Sequence, residues 1–504
     1  MKFDRIKAML ATMVVFLAVE SSLQAAVSYQ SALTWTDPLV YPICSLAAGD
    51  LNRDGKKDIL VGLDESIPSY QDAHLIMLVQ GDMLRTGFSQ AGRANCGWTP
   101  ARVFVKDLNM DGNNDILECR DITNYDFLGN ITGYAGTFAR RLSLSADPNI
   151  GTANWSYSQI GNIAGWFTGP AIIDLNQDGK LDLVRVRNKD GQVSRYFGDG
   201  IGNFNAGYLN FMNFNYGSTD PNDQFEKYPI VAGQLDATNS SGINDIAIAR
   251  PSDGLLHIIF QHPAGGFNVD PIYVARPFSC GGFGVHGTND LHLRPTHLGI
   301  GDFNRDGKND IVVIREDGYV YVCYQEIPRD FASNRATLMS YGKKITDMKV
   351  GDVDGNGSDD LVVARSNGDL YVNLQGAPGV FNNQLIGSFY TDDPNVGLIT
   401  CVDIADMDND GLNDIVVGLK DGRIFTYYQQ QMCSQNIQGD LTGDCMIDFR
   451  DVNVFVSQWL QTTSSAPYLP TDLNTDGIVN LKDVATIGAH WMECNLINQS
   501  NCWQ

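Results

Sequence analysis

The sequence predicts an all-β fold, a seven-bladed β-propeller with calcium-loop hairpins, followed by a small α-helical domain of EF-hand type. Three observations predict it. A nine-residue acidic loop recurs along most of the chain, its copies start 50 to 68 residues apart, and two longer acidic loops near the C-terminus each lead into a helical pattern.

The first loop is Asp50-Leu51-Asn52-Arg53-Asp54-Gly55-Lys56-Lys57-Asp58, followed by Ile59-Leu60-Val61. Its candidate metal ligands are Asp50, Asn52, Asp54 and Asp58, at positions 1, 3, 5 and 9. Equivalent sets are Asp107, Asn109, Asp111 and Asp115; Asp174, Asn176, Asp178 and Asp182; and Asp302, Asn304, Asp306 and Asp310. Two more are Asp352, Asp354, Asn356 and Asp360, then Asp406, Asp408, Asp410 and Asp414. A glycine turns the chain in the middle of each loop, so that carboxylate and carboxamide oxygens converge as a hard cation requires; the expected cofactor is Ca²⁺. A fourth unit at Gln234 to Asp245 departs from the pattern, with Gln234 for the first acid and Asn239-Ser240-Ser241 enlarging the loop.

Loop starts at 50, 107, 174, 234, 302, 352 and 406 leave room for about four short strands per unit, hence seven blades. An apolar stretch precedes each loop and an Asp-Ile/Leu-Val type run follows it, the signature of a hairpin whose connection is the metal loop. A third strand begins after turns such as Asp317-Gly318, Asn367-Gly368 and Asp421-Gly422, and a fourth after glycine-rich turns such as Gly198 to Phe204 and Ala377 to Phe381. The seventh unit ends after its third strand, at Gln431. Because a propeller hides its edges by closing, Val27 to Trp35 is predicted to return as the missing outer strand of the last blade. These loops and the Gly-Asp-Gly-x-Gly-x-Phe turn resemble the FG-GAP/VCBS repeats of integrin α-type β-propellers, over residues 26–431.

Near the C-terminus, Asp440, Thr442, Asp444, Asp448 and Asp451 occupy positions 1, 3, 5, 9 and 12 of one EF-hand-like loop, and Asp472, Asn474, Asp476, Asn480 and Asp483 those of a second. Met446 and Ile478, at position 7, are expected to ligate through their carbonyls. Apolar spacing predicts helices over Val452 to Leu460 and Val484 to Trp491. Cys445 stands in the first loop where glycine is expected. The paired loops, each ending in Asp, resemble a type I dockerin, and the domain is set at 432–504. That resemblance implies a cohesin-like protein as partner, met by the two helices and by Phe449, Arg450, Leu481 and Lys482. Cys433, Cys445, Cys494 and Cys502 allow three pairings, of which Cys445 with Cys494 is favoured.

Residues 1–25 read as a secretory signal peptide: Lys2, Arg5 and Lys7, an apolar run too short to span a bilayer, then small residues. The expected location is extracellular or cell-surface, with no membrane span after cleavage. Ten cysteines suit disulfides in that setting. A net charge of −24 argues against nucleic acid as a partner.

With the metal on one face of the disc, recognition is sought at the opposite mouth. Residues five before each loop lie there, among them Arg102, His297, Asp347 and Cys401. The long stretch Pro277 to Thr296 adds His286, His292 and Arg294, which with His297 form a candidate ligand site. Trp98, Trp155 and Trp166 are candidate sugar platforms. No catalytic motif is present, so catalytic residues are unassigned. The leading reading is an exported calcium-binding propeller that recognises a polysaccharide, cell-surface glycan or protein and is anchored by the dockerin-like domain. The alternative is a polysaccharide lyase or glycoside hydrolase on the same scaffold; a structural envelope protein is a third reading.

Overall fold

The computed structural model describes residues 27–64, 73–81, 87–96, 99–125, 131–150, 154–164, 169–187, 192–204, 209–213, 228–236, 243–250, 255–260, 276–278, 295–325, 331, 334–389, 397–430, 437–441, 445–462 and 469–494. The signal-like residues 1–25 lie outside these. Among the described residues no helix is long and apolar enough to cross a membrane. By its described residues the chain divides into two compact units, Ser31–Tyr427 and a second that joins the residues up to Gln30 to those from Tyr428 onward.

The first unit is a seven-bladed propeller of four-stranded antiparallel sheets. Strand β1 (Ser28–Thr36) comes first and is used last. Blade 1 is β2 (Ile43–Gly49), β3 (Asp58–Leu63), β4 (His74–Gln80) and β5 (Phe88–Asn95). Blade 2 is β6 (Thr99–Lys106), β7 (Asp115–Tyr125), β8 (Ile131–Ser143) and β9 (Trp155–Ala164). Blade 3 is β10 (Ala171–Ile173), β11 (Asp182–Arg187), β12 (Gln192–Tyr196) and β13 (Leu209–Asn213). Blade 4 is β14 (Ile230–Gly233), β15 (Asp245–Arg250), β16 (Leu255–Ile259) and β17 (Arg276–Phe278). Blade 5 is β18 (Pro295–Gly301), β19 (Asp310–Arg315), β20 (Tyr319–Tyr324) and β21 (Asn334–Ser340). Blade 6 is β22 (Ile345–Gly351), β23 (Asp360–Arg365), β24 (Asp369–Ala377) and β25 (Val380–Ser388). Blade 7 is β26 (Ile399–Ala405), β27 (Asp414–Leu419) and β28 (Arg423–Gln430), completed by β1 in the order β1-β28-β27-β26.

The predicted closure is therefore observed. Strand β1 alternates exposed and half-buried residues in the same sequence as β25, the outer strand of blade 6, as expected of two strands doing the same job. Thr34 and Thr426 share a hydroxyl hydrogen bond of 2.7 Å across the seam. The second strand of each blade is buried on both faces, which explains runs such as Ile311-Val312-Val313-Ile314, where no polar residue alternates.

Inner strands pack edge to edge through size complementarity. The glycine just before a loop leaves room for the β-branched side chain two before the next loop: Gly49 meets Val105, Gly233 meets Ile300 and Gly351 meets Ile404. A Cβ on Gly49 would lie 2.5 Å from Val105 Cγ1, so substitution there must push the blades apart.

The second unit has two short helices, α1 (Phe449–Ser457) and α2 (Leu481–Ala489). Both begin three residues earlier than the periodicity predicts. Asp448 and Asn480 are N-caps, and Asp451 and Asp483, read as loop-closing acids, are also the N3 members of capping boxes. The halves cross-brace: Ile447 N donates to Glu493 O, and Val479 N to Gln461 O. Ile437, Ile447, Phe455, Val479 and Ile487 form the core.

The cysteines correct one expectation. Cys323, Cys445 and Cys494 are disulfide-bonded, but Cys44, Cys96, Cys119 and Cys401 are not in disulfides. The last three are buried; Cys96 packs in the apolar layer between blades 1 and 2, where a thiol serves as a small apolar side chain.

Candidate functional site

The six intact loops connect the first two strands of blades 1, 2, 3, 5, 6 and 7, and one hydrogen-bond pattern repeats in all of them. The position-1 carboxylate accepts the position-6 N–H at 2.8 to 3.0 Å, as Asp50 Oδ2 does from Gly55 and Asp406 Oδ2 from Gly411. Position 5 in turn accepts the N–H of position 7, for example Lys56 to Asp54 at 2.9 Å. Position 6 is left-handed in every copy, with φ from 78° at Gly357 to 86° at Gly411, which accounts for the glycine. Position 4 is left-handed too, and in five loops it is not glycine: Arg53, Met110, Gln177, Arg305 and Asn409. That backbone strain is held by the side-chain acceptors around it.

The position-9 aspartate is the buried fastener. Asp58 Oδ2 accepts the Leu51 N–H at 2.9 Å and its Oδ1 the Gln80 N–H at 3.1 Å, tying the loop to the third strand. Asp115, Asp182, Asp310 and Asp360 make the same pair of bonds. Burial pushes Asp58, Asp310 and Asp360 up to about 7, and Asp115 and Asp182 up to about 6, against the lowering effect of those N–H groups. Neighbouring loop acids add to the rise, so a cation among them would offset a real electrostatic cost.

Two loops bring three carboxylates together: in the sets Asp352, Asp354, Asp360 and Asp406, Asp408, Asp414 one oxygen from each lies within 4.8 Å of the others. The remaining four carry Asn at position 3, whose amide oxygen points the same way, accepting the position-5 N–H at 3.0 to 3.1 Å as Asp354 does. The donor set and its convergence fit a hard cation. In the fourth unit Asp245 keeps its fastening bond to Leu235 N at 3.0 Å, while the place of the first acid belongs to Gln234.

Position 8, which the sequence reading passed over, links neighbouring loops. Asn114 Nδ2 donates to Asp50 O at 2.9 Å, Asn244 to Asp174 O at 2.7 Å, Asn309 to Gln234 O at 3.0 Å and Asn413 to Asp352 O at 2.7 Å. Asp359 reverses the polarity, accepting from Asp302 N at 2.8 Å. Between blades 7 and 1, Asn409 reaches Gly55 O at 3.1 Å.

In the second unit Asp472 accepts from Asp476 and Gly477, and Asp483 from Asn474 and Asn480. Asp440 accepts from Cys445, and Asp451 from Leu441 and Asp448. Cys445 takes φ 64° where Gly477 takes 86°, so the first loop keeps the turn at a steric cost. Thr442 and Asp444 lie outside the described residues. Phe449 is 78% exposed and Leu481 73%, at matching positions of the two helices. Arg450 pairs with Asp448, and Lys482 with Asp476.

At the opposite mouth His286, His292 and Arg294 lie outside the described residues, as do Trp98 and Trp166. His297 is half-buried, with Nδ1 3.0 Å from Thr296 Oγ1. Asp347 and Cys401 are buried; Asp347 Oδ2 accepts from Val402 N at 3.0 Å, which stitches blade 6 to blade 7. Asp403 does the same to blade 1 through Ala48 N at 2.9 Å and pairs with Lys349 at 3.0 Å. Trp155 is not a platform: it is 5% exposed on an outer strand, and its indole N–H donates to Asp147 O.

An FG-GAP-like repeat model matches residues 302–363, from the loop of blade 5 into β23. No curated protein matches the chain. Two solved structures of BBS1N in complex with ARL6DN, soaked with mercury and with lead, superpose at TM-scores of 0.48 and 0.47. Each is 13% identical, over 80% of this chain and 98% of theirs.

Proposed function

We propose that this chain is an exported, calcium-pinned propeller that binds a glycan or protein and is anchored through its C-terminal unit. The observation that carries the metal part is the repetition of one donor geometry in six loops, with three carboxylates converging in blades 6 and 7. Asp50, Asn52, Asp54 and Asp58, and their counterparts, would hold Ca²⁺, each ion fixing a turn too acidic to close cheaply alone. At the ~10⁻⁴ to 10⁻³ M dissociation constants usual for extracellular modules, such ions serve as pins rather than switches.

The anchoring part is supported by symmetry. Two capped helices related by a 32-residue repeat expose Phe449 and Leu481, whose apolar surface suits a cohesin-like partner of dockerins.

The test is a thermal melt of the full chain in 10 mM CaCl₂ against EGTA. Each filled site adds about 1.4 to 2.7 kcal/mol at ten to a hundred times its Kd, so several sites together should raise the midpoint by about 10 °C or more. An unmoved midpoint removes the calcium reading. Loss of cohesin capture by Phe449→Ala with Leu481→Ala checks the anchor.

A further inference from the structure

Blades 5, 6 and 7 each balance a stacked arginine with one nearby carboxylate: Arg315 with Asp317, Arg365 with Asp369, Arg423 with Asp421. Blade 2 does not. There Glu118, fully buried on β7, takes ion pairs from both Arg120 and Arg141. It is the one carboxylate paired with either guanidinium among the described residues. Two positive charges therefore share one negative charge, and both arginines are more than nine-tenths buried.

Their donors are used unequally. Arg120 spends Nε and Nη2 on Glu118 and Nη1 on the Tyr157 hydroxyl at 3.3 Å. Arg141 spends only Nε on Glu118; its two terminal nitrogens have no hydrogen-bond partner among the described residues. Tyr157, on the outer strand β9 directly across from Arg141, is 47% exposed. Both guanidinium carbons lie near its ring, at 5.4 and 4.9 Å from the centroid. Glu118 thus holds Arg141 by one edge and leaves the end-on pair of N–H groups for a planar, two-oxygen anion, beside an aromatic ring that still faces water.

We infer that the outer rim of blade 2 is a binding site for an acidic sugar, with the uronate carboxylate on Arg141 Nη1 and Nη2 and the sugar ring against Tyr157. Glu118 and Arg120 act by positioning Arg141. The site lies on the rim level with Ile116, away from the mouth where the sequence placed recognition. It rests on the glycan-binding reading and names the ligand class.

The experiment is calorimetric titration of the calcium-loaded full chain with uronate oligosaccharides, their carboxyl-reduced counterparts and sulfated oligomers of equal length. The uronate is expected to bind about tenfold or more tighter than the reduced sugar, Arg141→Gln to lose that margin, and Tyr157→Ala to lose about three- to tenfold. Equal binding of reduced or sulfated sugar overturns the carboxylate assignment, as does wild-type affinity in Arg141→Gln. If that variant melts early, Tyr157→Ala decides, and its unchanged affinity overturns the site. Neutral-sugar binding untouched by either variant removes this site but leaves the glycan reading standing; silence towards every oligosaccharide removes both.

Discussion

In blades 2 to 6 the second strand carries opposite charges, an aspartate at its start and an arginine five residues on, and they are met by different means. At the loop end an aspartate is buried with its carboxylate accepting backbone N–H groups of its own blade, one of them seven residues back in the intact loops and one on or just past the third strand: Asp360 holds Val353 and Gln375. At the far end of the same strand in blades 3 to 6, and midway along β7 in blade 2, stands an arginine five residues from the aspartate: Arg120, Arg187, Arg250, Arg315 and Arg365. Its partners vary. Arg365 donates to Asp369 and Tyr371 in its own blade and to Tyr341 O from the blade before, with its guanidinium near both tyrosine rings. One end is a repeated backbone device; the other is a side-chain cluster whose partners differ from blade to blade.

Removing the loop-end charge should cost most. Asp360→Ala orphans two buried N–H groups, and a loss of about 3 to 5 kcal/mol is expected in urea unfolding with calcium present. A loss below about 1 kcal/mol would mean the carboxylate is not the fastener described.

The far end can be probed by acid. His257 on β16 is buried, and burial, with Arg250 second, lowers it from 6.5 to about 4. A group depressed on folding contributes stability that is full above pH 6.5 and lost as pH falls from there towards 4. The loss is on the order of 3 kcal/mol. His257→Gln should flatten that limb relative to wild type; parallel limbs would show that His257 takes up its proton while folded.

Arg365→Leu replaces a partly buried guanidinium by an apolar group and leaves Asp369 with Asn367 and Ser388 as partners, so about 2 kcal/mol is expected. If it equals Asp360→Ala, the two ends do not differ as claimed. The smallest effect belongs to the links between loops: Asn413→Ala removes one neutral bond to Asp352 O, worth about 1 kcal/mol. Its cost should not change when blade 1 is altered by Lys57→Ala.

How much was legible follows the same division. The acidic loops, hairpins, blade number and returning first strand were readable, because each rests on residues within about a dozen positions or on the need to hide a strand edge. Asp451 and Asp483 were assigned to loops, but not to the helices they also cap. Trp155 was offered to solvent because its burial comes from the apolar layer it joins, whose other members include Met77 and Ala94, far from it in sequence. The position-8 asparagines went unnoticed, since their acceptors lie 61 to 75 residues back in the preceding blade.

The sequence by itself determined the local chemistry: which loops turn, where φ must be positive, which strands are buried on both faces and where the ring closes. Tertiary structure alone decided how charges from different strands are shared. Short-range geometry is written in spacing, whereas the excess of Arg141 over Glu118 exists only because β7, β8 and β9 bring Glu118, Arg141 and Tyr157 onto one face.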